Sequence, residues 1–173
     1  MTCVSKPVLP YPLFYRRTLI LGAAAGLAAG RASAACPPPR VLFVCPAGSV
    51  KSAIAREALR QRAAAVGLAV SVASRGLRPE DHVSPALAAN LQRDGLDPAA
   101  EPLRALAQSD IAQADLIVAF DEASEEPMLH AARAWKTPSW NSDYPAAKAD
   151  LDQRLTGLLT DLRTRAATPC ATP

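Results

Sequence analysis

The chain has 173 residues, half of them apolar and a fifth charged, which suits one globular domain and excludes a disordered chain or two full domains. Its formal charge of +3 belongs to the N-terminal segment: Lys6, Arg16, Arg17 and Arg31 precede residue 35, where no acid occurs, and without them 15 bases face 16 acids, a net of −1. That balance excludes nucleic-acid binding, which needs a concentrated positive field.

Residues 1–34 read as an export signal of the twin-arginine type. Arg16-Arg17 stands at the mouth of the weakly apolar run Leu19 to Gly30, and Ala32-Ser33-Ala34 supplies a small-x-small cleavage site. The run is shorter than the roughly 20 apolar residues a membrane span needs. Cleavage after about Ala34 is expected to release the protein into a bacterial periplasm without lasting membrane association. Cys3 leaves with the signal; Cys36 and Cys170 flank the domain and are free to pair in an oxidising compartment, which leaves Cys45 as a thiol. No cysteine spacing marks a zinc site, and neither metal nor cofactor is expected.

Beyond a Pro-rich joint at 35–39, short apolar runs alternate with helical stretches over a domain spanning 40–166, with a disordered tail expected at 167–173. Arg40 to Val44 reads as a strand and Ser52 to Val66 as a helix, with Ala55, Leu59, Ala63 and Val66 on one face. Ala69 to Ala73 reads as a second strand. Ser84-Pro85 opens a helix that stops near Asp94-Gly95. Asp115 to Phe120 reads as a strand buried on both faces, 125–134 as a helix and 134–136 as a short fourth strand. Leu151, Leu155, Leu158, Leu159 and Leu162 mark a final helix over 145–165. Such alternation implies an α/β fold: a three-layer sandwich with a four-stranded parallel sheet flanked by helices. Ligands of open parallel sheets bind beyond the carboxyl ends of the strands, where Cys45, Ser74-Arg75, Asp121 and the 139–143 loop are expected to meet.

The loop Cys45-Pro-Ala47-Gly48-Ser49-Val50-Lys51-Ser52 joins the first strand to the first helix. Amides of Ala47, Gly48, Ser49 and Val50, with the helix N-terminus, are placed to form a nest for a tetrahedral oxyanion. That field favours a thiolate at the loop's start. Gly48 relaxes the tight turn, Lys51 brings a positive charge beside the anion, and Ser52 is placed to hydrogen-bond the thiolate or the helix end. A nucleotide-binding P-loop also ends in Lys-Ser but requires glycine where Cys45 and Val50 stand. The plainer alternative is a cysteine packed at a strand end.

From residue 40 to about 165, through Gly95-Leu-Asp97, the Asp115 to Phe120 strand and the final helix, the chain resembles the low-molecular-weight protein tyrosine phosphatases and their arsenate-reductase relatives. The resemblance implies Cys45 as the nucleophile that takes the phosphoryl group, Ser52 as its assistant, and Asp143 as the acid that protonates the leaving oxygen and then activates water. The family's loop arginine is Lys51 here, which keeps charge and loses the planar fork. Arg75, leaving the second strand at the same edge, is a candidate to supply a guanidinium. Trp135, Trp140 and Tyr144 are candidates for a hydrophobic wall. The function so implied is hydrolysis of phosphomonoesters, on a phosphorylated small molecule or a phosphotyrosine protein, by a monomer. The alternative is a degenerate module that binds an oxyanion or phosphoprotein without turnover. Arsenate reduction ranks lower, because it needs resolving thiols and 120–124 holds none, while Val50 removes a second thiol from the loop.

Overall fold

The computed structural model describes residues 36–167, all within one compact unit. The expected signal segment and the tail from residue 168 lie outside the described residues. Among them, no helix is long and apolar enough to cross a membrane.

Four parallel strands, β1 (Arg40–Cys45), β2 (Ser71–Gly76), β3 (Leu116–Phe120) and β4 (Arg133–Trp135), form a sheet in the order β2-β1-β3-β4. The helices are α1 (Lys51–Ala65), α2 (Pro85–Arg93), α3 (Gln108–Gln113) and α4 (Tyr144–Ala167). This is the three-layer arrangement expected from the alternation of apolar runs.

Strand β1 is the centre of the molecule because every residue from Val41 to Cys45 is buried. Side chains alternate across a strand, so Val41, Phe43 and Cys45 face one core with Ile54 and Leu59 of α1, Leu91 of α2 and the leucines of α4. Leu42 and Val44 face a second core with Ala119, Ala123 and Leu129. Each fully buried Leu or Phe contributes about 1.5–3 kcal/mol from removal of apolar surface from water.

The sheet order places the point of reversal at β1, which has β2 on one side and β3 on the other. Past the carboxyl ends of those strands lies the crevice where an open sheet binds its ligand. Cys45 stands at that end, opposite Gly76 in the β1–β2 register.

Several expectations shift. Strand β2 begins two residues later than the apolar run suggested and continues to Gly76. The helix expected over 125–134 is absent. In its place are two 3-10 turns, Asp121–Glu125 and Pro127–Leu129, separated by Glu126 in an extended conformation. Pro127 is the cause: its ring drives the preceding residue out of the helical region, and it has no amide to donate. Helix α3 was not anticipated, since it buries none of its six residues and leaves no apolar period.

Trp135 lies in the core against Phe43 and Phe120, 4% exposed, and Trp140 is buried and edge-on to Tyr144. The tryptophans cover the core, and neither lines the cavities that border residues 49–51. Burial, then the Asp94 carboxylate that accepts from its hydroxyl, pushes the Tyr144 phenol well above its ordinary range. Tyr144 therefore stays a neutral donor tying the start of α4 to α2.

Candidate active site

The 45–52 loop is pinned by an extension of the β1–β2 pairing. Carbonyls of Cys45, Pro46 and Ala47 accept the amides of Leu77, Arg78 and Glu80 at 3.2, 2.9 and 3.0 Å. In a trans peptide the carbonyl and the following N–H point opposite ways. Turning the Pro46 and Ala47 carbonyls toward 77–80 therefore turns the amides of Ala47 and Gly48 to the other side. The Gly48 amide reaches Cys45 Sγ at 3.1 Å.

This geometry requires glycine twice. Gly48 has φ +80, and a Cβ on it would stand 2.9 Å from the Gly76 nitrogen. A Cβ on Gly76 would stand 2.8 Å from the Ala47 carbonyl carbon and oxygen. The two backbones approach too closely for any side chain. Gly48 was singled out from the sequence; Gly76 was not, and only the register opposite Cys45 reveals it.

Ser52, wholly buried in the first turn of α1, places its Oγ 3.1 Å from Cys45 Sγ, 3.2 Å from the Gly48 carbonyl and 3.3 Å from the Arg75 carbonyl. A hydroxyl has one proton to donate. When Cys45 carries its proton, the thiol donates to Ser52 and the hydroxyl donates to a carbonyl. When Cys45 is a thiolate, Ser52 turns its proton onto the sulfur beside the Gly48 amide. The arrangement is built to hold both states.

Helix α1 starts immediately after the loop, with Val50 as its N-cap and no side chain capping it. By contrast, Ser84 caps α2 through the Leu87 amide. First-turn amides without a cap are donors for an anion. Ser49 is held in place by the His82 amide, which donates to its Oγ at 3.0 Å.

The cationic side of the site differs from expectation. The Lys51 Nζ is engaged by groups other than the sulfur: it is paired with Asp121 and donates to the Thr137 carbonyl at 3.0 Å. Asp121 Oδ1 also accepts the Thr137 amide at 3.1 Å. Asp121 lies at the edge expected for it, and no feature of the sequence singles out Thr137 as its partner. These groups line a cavity of about 460 Å³ with Glu122, Glu125, Lys136 and Ser139. A larger cavity, about 750 Å³, lies between α2 and residues 95–103 and touches the loop through Ser49. Neither cavity is lined by Cys45, Gly48 or Ser52, and the smaller one holds the Lys51–Asp121 pair beside the loop.

Arg75 reaches the loop through its carbonyl, not its guanidinium. Strand alternation sends its side chain away from the Ser74 face, where it donates to Asp110 at 2.7 Å and to the Ser74 carbonyl at 2.8 Å. The Arg75 hydrogen bond holds the Asp110 carboxyl below its ordinary range. Its guanidinium is committed there and does not replace the missing arginine. Asp143 accepts the Ala146 amide at 3.1 Å through Oδ1 and so caps the exposed start of α4.

Buried Arg56, also missed, donates to Ser74 Oγ at 2.8 Å and the Pro98 carbonyl at 3.0 Å, tying α1 to β2. Among the described residues the free cysteine is Cys45, while Cys36 is disulfide-bonded. No group of three or more His, Cys, Asp or Glu among them is placed to hold a metal ion.

Residues 40–163 match the family model described as low molecular weight phosphotyrosine protein phosphatase. Among solved structures, a thioredoxin-dependent arsenate reductase of Corynebacterium glutamicum is 22% identical with a TM-score of 0.62, over 76% of this chain and 65% of that one. The YwlE arginine phosphatase of Geobacillus stearothermophilus is 19% identical with a TM-score of 0.61, over 79% of this chain and 100% of that one. A low molecular weight protein tyrosine phosphatase of T. tengcongensis is 20% identical with a TM-score of 0.56, over 73% and 99%. The chain thus spans just under two thirds of the first and essentially all of the other two. No curated protein matches the chain.

Proposed function

The chain belongs to the low molecular weight phosphotyrosine protein phosphatase family, and we propose that it hydrolyses phosphomonoesters through a cysteinyl-phosphate intermediate on Cys45. The observation that carries this reading is the sulfur flanked at 3.1 Å by both the Gly48 amide and the Ser52 hydroxyl, at the mouth of an uncapped helix. A cysteine merely packed at a strand end has no use for two polar neighbours directed at its sulfur.

In the first step the Cys45 thiolate attacks phosphorus, the S–P bond forms and the ester P–O bond breaks. The departing oxygen takes its proton from Asp143. Water then attacks the phosphocysteine, gives a proton to the Asp143 carboxylate, and releases inorganic phosphate and the thiolate. Donors along the loop and the α1 N-terminus stabilise the charge that spreads over the phosphoryl oxygens. A lysine in place of the planar guanidinium supports this spreading charge less well, so turnover is expected to be slow.

A second reading, an oxyanion- or phosphoprotein-binding module without turnover, is favoured by one observation: the Lys51 ammonium is engaged by Asp121 and Thr137. Arsenate reduction is disfavoured, because no second free thiol stands among the described residues to resolve a covalent intermediate.

Turnover of an aryl phosphate by the purified protein separates the readings. Under the phosphatase reading, Cys45→Ser removes turnover by at least about 10³-fold. Asp143→Ser keeps a helix cap but has no acid, and lowers kcat by about 10²-fold. Turnover that survives Cys45→Ser would defeat the proposal, and unchanged kcat in Asp143→Ser would remove that residue from the mechanism.

A further inference from the structure

The structure assigns Asp121 a role that follows from the anion-site reading above: we propose that it is a positioning residue that holds Lys51 off the loop as an internal ion pair. An oxyanion over Cys45 then competes with Asp121 for the ammonium.

Asp121 is built for this task. It is the one non-glycine residue among those described with positive φ, at 49°, a conformation that costs free energy and persists where its surroundings enforce it. Ser124 Oγ fixes the turn by donating to the Asp121 carbonyl at 2.6 Å. So held at the end of β3, the carboxylate joins the end of β4 to the start of α1: Oδ1 accepts the Thr137 amide, and Oδ2 meets the Lys51 ammonium. Removing Asp121 would leave the ammonium with the Thr137 carbonyl alone among these partners.

The pair is arranged to exchange. Its side chains are 19% and 20% exposed, so the pair borders the cavity and is open to water on one side. The cavity holding the ammonium is lined by Lys51, Asp121, Thr137, Ser139 and the charged Glu122, Glu125 and Lys136, with no residue from 45–50. Lysine has a flexible four-carbon stem and a compact charge, and Lys51 is the first residue of α1, next to the loop. A phosphate oxyanion over the sulfur offers that ammonium more charge than Asp121 does. Arginine, with a fork suited to gripping a carboxylate at two points, would exchange less readily. The lysine thereby gains a physical reason at this position.

A double-mutant cycle with inorganic phosphate tests the exchange by isothermal titration. Asn at 121 retains an oxygen for the Thr137 amide and removes the charge. Asp121→Asn is expected to tighten phosphate about tenfold when Lys51 is present and less than about twofold in a Lys51→Met background. Equal tightening in both backgrounds would reduce Asp121 to a general negative field, and weaker binding would mean it directs Lys51 toward the anion. Either result overturns the proposal. In the unaltered protein, the Lys51 Nζ resonance should shift on saturation with phosphate, and a fixed resonance overturns the proposal without any variant having to fold. Phosphate binding with additive variants sinks only the exchange. Absence of binding to both the unaltered protein and Asp121→Asn sinks the anion-site reading itself.

Discussion

The two sides of the 45–52 loop are assembled in different ways. On the nucleophile side, Cys45, Gly48 and Ser52 lie within eight consecutive residues, and the Gly48 amide and the Ser52 hydroxyl each stand 3.1 Å from the sulfur. On the cation side, Lys51 takes partners 70 and 86 residues away along the chain, from the ends of β3 and β4. The local side keeps the layout of a cysteine nucleophile; the long-range side turns the charge to an internal carboxylate. In this molecule, the capacity to hold a thiolate and the capacity to stabilise a transition state depend on separate parts of the fold.

Breaking the nucleophile side is expected to have the larger effects. The greatest follows from Gly76→Ala, whose Cβ would enter 2.8 Å from the Ala47 carbonyl group. Backbone meets backbone there and neither yields without disturbing the loop, so a loss of about 3 kcal/mol is expected. Thermal melting checks it, and an unchanged Tm would mean that the loop does not rest on β2 as described.

Ser52→Ala has a smaller and more selective effect. It removes the hydroxyl from the sulfur without adding volume, and kcat for an aryl phosphate is expected to fall about tenfold to hundredfold. KM should change far less. Equal losses in kcat and in Tm would make Ser52 part of the scaffold, and the contrast between the two sides would weaken.

That contrast also explains what the amino-acid sequence could disclose. Strand β1 was legible as the unbroken apolar run Val41 to Cys45, and helices α1 and α4 from Ala55, Leu59 and Ala63 and the leucines from 151 to 162, which repeat at helical spacing. Local chemistry was legible as well, from the cysteine through Gly48 to Ser52. The direction of the Lys51 side chain was not, because Asp121 and Thr137 approach it only once the sheet has formed. Arg75 was misread for a related reason: its distance from the loop along the strand was right, but the pleat turned its side chain to the opposite face. Pro127 was the available sign that 125–134 could not be one helix, and the apolar residues around it concealed that sign. The Gly48–Gly76 contact joins residues 28 apart in the chain, and neither glycine alone declares the other.

The most direct test of the central claim is a crystal structure of the protein grown with orthovanadate, which takes the shape of a phosphoryl group in transfer. The account predicts vanadium bonded to Cys45 Sγ, with its oxygens among the loop amides and Ser52 Oγ still within hydrogen-bonding distance of the sulfur. A loop that stays empty at saturating vanadate, with the thiol closed among aliphatic side chains, would contradict it.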